Sequence, residues 1–117
     1  MVTQYVLTFK ALANENRLRI FHLLCYKPLC VCELTDILNV SQATVSRHLQ
    51  QLKSAGLIID EKDLPWTQYR AVSTFDSQLN QWLIDYFSKK VIRNVQLKED
   101  VQKADSVDRH DINREKN

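Results

Sequence analysis

Apolar residues recur along the first half of this chain at intervals of three and four, the spacing that lines one face of an α-helix. Val2, Tyr5, Val6, Phe9 and Leu12 predict an amphipathic first helix. Asn14 can cap a second helix and Glu15 complements its dipole, with Leu18, Ile20, Phe21, Leu23 and Leu24 inward and Pro28 marking the end. A short third helix is expected over Val31 to Leu38, with Leu34, Ile37 and Leu38 buried. Asn39-Val40-Ser41 then makes a tight turn. Ser41 is an N-cap candidate, and Val40 can staple onto Val45. The fourth helix runs through SQATVSRHLQQLKSA to Gly56, the only glycine, which suits a helix end at positive φ.

After Gly56 the period changes. LIID and TQYRAV read as strands around the charged, proline-containing EKDLPW, and so as a β-hairpin. Phe75, Leu79, Trp82, Leu83, Tyr86, Phe87 and Val91 return to helical spacing and predict a long helix with an aromatic face. Beyond about Asn94 the chain is charged and poor in apolar residues, so fraying or disorder is expected there. The fold class is therefore mainly α with a small β-hairpin, in the order four helices, hairpin, fifth helix. Residues 1–93 form the domain and residues 94–117 a partly disordered tail. Two short helices joined by a tight turn and followed by a hairpin make a winged helix-turn-helix candidate.

The chain has 117 residues, 44% of them hydrophobic, which is enough for one modest core. It contains no apolar run of membrane-spanning length and no secretory leader pattern, so a cytoplasmic protein with no membrane partner is expected. The net charge of +2 is too small to name a nucleic-acid partner by itself. Its distribution says more. Residues 1–93 carry 11 Lys and Arg against 8 Asp and Glu, and no carboxylate falls between Ile37 and Ile59. A polyanion would meet least repulsion along that segment.

On the fourth helix, Val45, Leu49 and Leu52 share one side and leave Gln42, Ala43, Ser46, Arg47 and Gln50 outward. Arginine can grip guanine and glutamine adenine through paired hydrogen bonds, and a small apolar residue can touch a thymine methyl. Candidate DNA contacts are therefore Gln42, Ala43, Thr44, Ser46, Arg47 and Gln50, with Lys53 on phosphate and Arg70, beside Lys62, on the wing. An ordinary solvated helix would carry the same residue types. The Asp63-Leu64-Pro65 tip also lacks the basic residues that many wings place there. His48 lies toward the apolar side and reads first as a packed histidine. The apolar faces of the first and fifth helices, through Tyr5, Phe9, Leu79, Trp82, Leu83 and Tyr86, are candidates for a homodimer interface, or they pack within the chain.

Three cysteines lie within eight positions: Cys25, Cys30 and Cys32. An odd count in a reducing compartment argues against a disulfide framework, and each could be a small buried hydrophobe. Residues two apart on a helix point roughly 200° from each other, so Cys30 and Cys32 could not share a ligand within a regular helix. Chelation would then have to unwind the start of the third helix. A helix N-terminus also lowers a cysteine's pKa, which would prime both as thiolates.

Leu29-Cys30-Val31-Cys32-Glu33-Leu34, Val40-Ser41-Gln42, Val45-Ser46-Arg47-His48-Leu49 and Ser54-Ala55-Gly56-Leu57 together resemble the ArsR/SmtB family of winged-helix metalloregulatory repressors. The likeness extends to Leu12-Ala13-Asn14-Glu15-Asn16-Arg17-Leu18 and Trp66-Thr67-Gln68-Tyr69-Arg70 and spans about residues 5 to 90. The Cys-Val-Cys run is similar to the arsenic-responsive branch. The resemblance implies a homodimeric repressor that binds double-stranded operator DNA and leaves it when As(III) or Sb(III) binds Cys30 and Cys32. Cys25 is a third ligand candidate on position and on the preference of trivalent arsenic for three sulfurs. No histidine falls between Phe75 and Val91, where zinc and nickel sensors of the family carry ligands. A thiol redox switch on the same fold is the rival reading. An enzyme is not expected: there is no Cys-x-x-Cys and no phosphate-cradling glycine loop.

Overall fold

The computed structural model describes residues 2–72, 78–89 and 93–107. Helices α1 (Val2–Leu12) and α2 (Glu15–Tyr26) are followed by a two-residue strand β1 (Leu29–Cys30), then α3 (Val31–Leu38) and α4 (Gln42–Ser54). The hairpin β2 (Ile58–Asp63) and β3 (Trp66–Ala71) precedes α5 (Gln78–Ser88) and α6 (Val95–Ser106). This is a mainly helical winged helix-turn-helix with a small antiparallel sheet, in the strand order β1-β3-β2.

Local chemistry accounts for the boundaries. The Asn14 side chain accepts from the Arg17 backbone N–H at 3.1 Å and starts α2, which closes at Lys27 just before Pro28. Asn39, left-handed at φ 56°, ends α3, and two residues later the Ser41 hydroxyl accepts from the Thr44 N–H at 3.1 Å to begin α4. Gly56, at φ 76°, turns the chain from α4 into β2. One core fills the space between these elements. Ile20, Phe21, Leu23, Leu29, Leu34, Val45, Leu52 and Leu57 are fully buried in it, each 0% exposed.

Three features depart from the sequence pattern. The strands extend into the EKDLPW segment, leaving Leu64-Pro65 between them, because Glu61, Lys62 and Asp63 find partners in Gln68, Thr67 and Trp66. Leu29 and Cys30, read as the approach to a helix, pair with Tyr69 and Gln68 as a third strand. The segment after Asn94 forms α6. Its few apolar residues suffice because Leu97 and Ala104 are buried, and Asp100, 0% exposed, takes two hydrogen bonds from Arg19 of α2 at 2.9 and 3.0 Å. Phe75 and Val91, assigned to the fifth helix by periodicity, lie outside the described residues, as does the end of the tail beyond residue 107. No described helix is long and apolar enough to cross a membrane.

Candidate nucleic-acid interface and thiol site

Helix α4 presents one face to the core and the other to solvent. Val45, His48, Leu49 and Leu52 are buried, while Gln42, Ala43, Ser46, Arg47, Gln50 and Lys53 are exposed and Thr44 is half-buried under the Ser41 hydroxyl. Of the residues expected to meet DNA, Gln42, Ala43, Ser46, Arg47, Gln50 and Lys53 thus share one open face of α4, while Arg70 lies on β3. Arg47 makes no ion pair among the described residues. The other two cations differ: Lys53 Nζ lies 2.9 Å from Asp60 on β2, and Arg70 Nε lies 3.3 Å from Glu61 across the hairpin. The hydrogen bond from Lys53 holds the Asp60 carboxyl below its ordinary range and raises Lys53 in return.

His48 is 8% exposed, and burial pushes its imidazole below the ordinary value. A hydrogen bond with Gln51 opposes that shift, and the charges of Arg17 and Arg47 reinforce it. It is a packed histidine whose burial favours the neutral form.

Arg17, which periodicity did not single out, turns out to locate α4. Its guanidinium donates to the Ala11 carbonyl at 2.6 Å and the Lys10 carbonyl at 3.2 Å, satisfying the open end of α1, and to Gln51 of α4 at 2.8 Å. One side chain therefore joins three helices. No sequence signal marks such a role, because it depends on two ends brought together by the fold.

The thiols are arranged otherwise than helical geometry predicts. Cys30 is not within α3: it is the N-cap, extended at φ −94° and ψ 169°, and already paired with β3. Its Sγ therefore meets that of Cys32 at 2.8 Å with the helix intact. No unwinding is required for the pair to meet. Glu33 reaches back to accept from the Cys30 backbone N–H at 2.9 Å, as in a capping box.

The expected priming of Cys30 as a thiolate is overturned. Burial pushes its thiol up to about 12; the hydrogen bond with Cys32 and the Glu33 carboxylate add to this, and a backbone hydrogen bond only partly opposes it. Burial alone takes Cys25 to about 12.

Cys25, near the end of α2, packs against the core, and its carbonyl accepts from the Ser88 hydroxyl at 3.3 Å. Among the described residues, no three His, Cys, Asp or Glu side chains gather as a metal site. Cys30 and Cys32 are brought together; Cys25 is not gathered with them.

Of the residues expected at a dimer interface, Tyr5, Phe9, Trp82 and Tyr86 are 54%, 56%, 59% and 46% exposed, and the Trp82 and Tyr86 rings stack at 5.5 Å. Leu79 is half-buried against the core. Leu83, 6% exposed, is spent on the core of its own chain and offers nothing to a partner.

Residues 14–60 match the family model described as bacterial regulatory protein, arsR family. The "arsenical resistance operon repressor" of Bacillus subtilis is 41% identical over 70 residues, 59% of this chain and 67% of that protein. The chain belongs to the ArsR family. The "arsenic resistance transcriptional regulator ArsR1" of Pseudomonas putida is another relative, 39% identical over 87 residues, 74% of this chain. The chain spans 64% of that relative's length. Among solved structures, a homodimeric winged helix-turn-helix DNA-binding domain from Mycobacterium bovis, titled a possible ArsR-family regulator, superposes with a TM-score of 0.63 at 28% identity and covers 74% of each chain. The relatives of this ArsR-family chain are transcriptional regulators, and neither they nor its fold are those of an enzyme.

Proposed function

We propose that this ArsR-family chain is a homodimeric repressor of arsenical resistance that holds operator DNA through α4 and leaves it when trivalent arsenic or antimony is chelated by Cys30 and Cys32. The observation that carries this reading is the contact of the two sulfurs, 2.8 Å apart, at the N-cap of the helix leading into the recognition helix. The names of the P. putida and B. subtilis relatives support arsenic as the inducer.

The raised thiol pKa favours a metalloid over a divalent cation. Arsenite at neutral pH is an uncharged trihydroxide. Each thiol proton leaves with one hydroxide as water while a sulfur–arsenic bond forms, and the oxidation state is unchanged. No proton has to be released to solvent. Cadmium or zinc would have to displace the Cys30 proton, which burial holds near 12. Cys30 and Cys32 supply two sulfurs; the third position keeps a hydroxide or takes an external thiol, and Cys25 completes it only if the end of α2 shifts toward the pair.

Cys30 sits where β1, paired with the wing strand β3, meets α3, which leads through Asn39 into α4. A ligand held across that junction acts on both DNA-facing elements. By linkage, whatever the ligand gains from the altered arrangement is lost from DNA affinity, typically about 5- to 150-fold. Tyr5, Phe9, Trp82 and Tyr86 would be covered by a second copy, setting two α4 helices about 34 Å apart along a near-palindromic operator. The homodimeric M. bovis neighbour supports this arrangement. The protein would work in the cytoplasm, where thiols stay reduced.

The test uses an operator selected from a random duplex pool, titrated with arsenite in complex with wild type, Cys30→Ser, Cys32→Ser and Cys25→Ser. Release of wild type and Cys25→Ser, with retention of the other two, is expected. Equal release of all four sinks the reading.

The sulfur contact also favours a second reading, a redox switch. Peroxide would accept two electrons and the two thiol protons, giving two waters and a Cys30–Cys32 disulfide. The raised pKa of Cys30 slows attack by that thiol, since the thiolate is the nucleophile. Release by peroxide alone, reversed by a dithiol, would favour it.

A further inference from the structure

Two of the cations expected to meet phosphate are neutralised inside the molecule. Lys53, in the last turn of α4, is 2.9 Å from Asp60, and Arg70, on β3, is 3.3 Å from Glu61. All four side chains remain between 38% and 45% exposed, so these are surface pairs that a polyanion can reach. Asp60 and Glu61 are consecutive on β2, an edge strand, and consecutive strand residues face opposite ways. One pair therefore lies on each face of the wing. Glu61 is further fixed by the Gln68 side-chain amide, which donates to it at 3.0 Å. Asp60 is also the first carboxylate after the acid-free run from Ile37 to Ile59. Arg47, on the open face of α4, has no such partner among the described residues.

Phosphate contacts supply affinity without sequence information, whereas base contacts discriminate. Masking Lys53 and Arg70 therefore lowers binding to every duplex by about the same factor, while Arg47, left open, keeps its capacity for a base contact. We propose that Asp60 and Glu61 are affinity-setting residues: internal counter-charges on the wing that occupy Lys53 and Arg70 and hold down the phosphate-driven part of DNA binding. The proposal rests on the DNA-binding reading above.

The test measures binding of wild type and the Asp60→Asn/Glu61→Gln variant to the selected operator and to a scrambled duplex across a salt series. These isosteric changes keep the side chains' size and one acceptor oxygen each while removing the charge. Expected is a rise of about tenfold in affinity for both duplexes alike, with their ratio unchanged. The slope of log affinity against log salt should steepen by about 1 for each cation freed. Adding Lys53→Met and Arg70→Met to the variant should remove the gain.

Unchanged or weaker binding overturns the proposal, as does a rise confined to one of the duplexes or a gain that survives removal of the two cations. Wild type that binds operator alongside a variant indistinguishable from it overturns only this inference. Failure of both proteins to bind any duplex overturns the DNA-binding reading as well.

Discussion

Cys30 carries three roles at once: it ends β1, caps α3 and touches the sulfur of Cys32. Burial raises its thiol from an ordinary value of 9.0 to about 12, which is a statement about stability as well as reactivity. The folded state binds the proton more tightly than the unfolded chain. The resulting stabilisation is complete below pH 9 and is lost progressively as pH rises toward 12. The urea midpoint of wild type should therefore fall across that range more steeply than that of Cys30→Ser, which has no proton to lose there. Parallel curves would contradict the burial argument. The spacing of the two cysteines was visible in the chain, but their meeting was not. Fixing Cys30 as extended strand at the head of the helix needed a partner, Gln68, 38 positions away.

At the scale of elements, α3 and α4 were legible because their signals are local. Asn39, Ser41 and Gly56 stand where a left-handed residue, an N-cap and a positive-φ turn are required. Helix α6 was missed because its stabilising contacts are remote and partly polar. Arg19 and Asp100 meet at 2.9 Å, with Asp100 0% exposed, and Tyr26 donates to Asp105 at 2.6 Å. Removing one partner of a buried pair leaves the other uncompensated. Asp100→Ala should cost about 3 kcal/mol in thermal or urea unfolding. Replacing both partners, as Arg19→Met/Asp100→Leu, should recover much of that loss. If Asp100→Ala unfolds as wild type does, the pair does not hold α6 in place.

Over the whole molecule, the aromatic residues left on α1 and α5 decide how many copies act together. Phe9 and Trp82 are more than half exposed, and a second copy is the partner proposed for them. Phe9→Glu/Trp82→Glu should run as a monomer by light scattering and bind operator at least tenfold more weakly, since one recognition helix replaces two. A dimer that survives both charges would place the interface elsewhere. By itself the sequence determined the first four helices, the Asn14 and Ser41 caps, the polar outer face of α4 and the family resemblance through the Cys-Val-Cys run, all of which depend on residues within a few positions of one another. Only the tertiary structure decided that the two sulfurs touch at an N-cap while Cys25 stays apart, that Arg17 ties three helices, that Leu83 faces inward, and that Asp60 and Glu61 occupy the cations expected to face DNA. Each of these turns on side chains that meet across long stretches of chain, or on burial that shifts a proton equilibrium, and neither distance nor burial is written in local spacing.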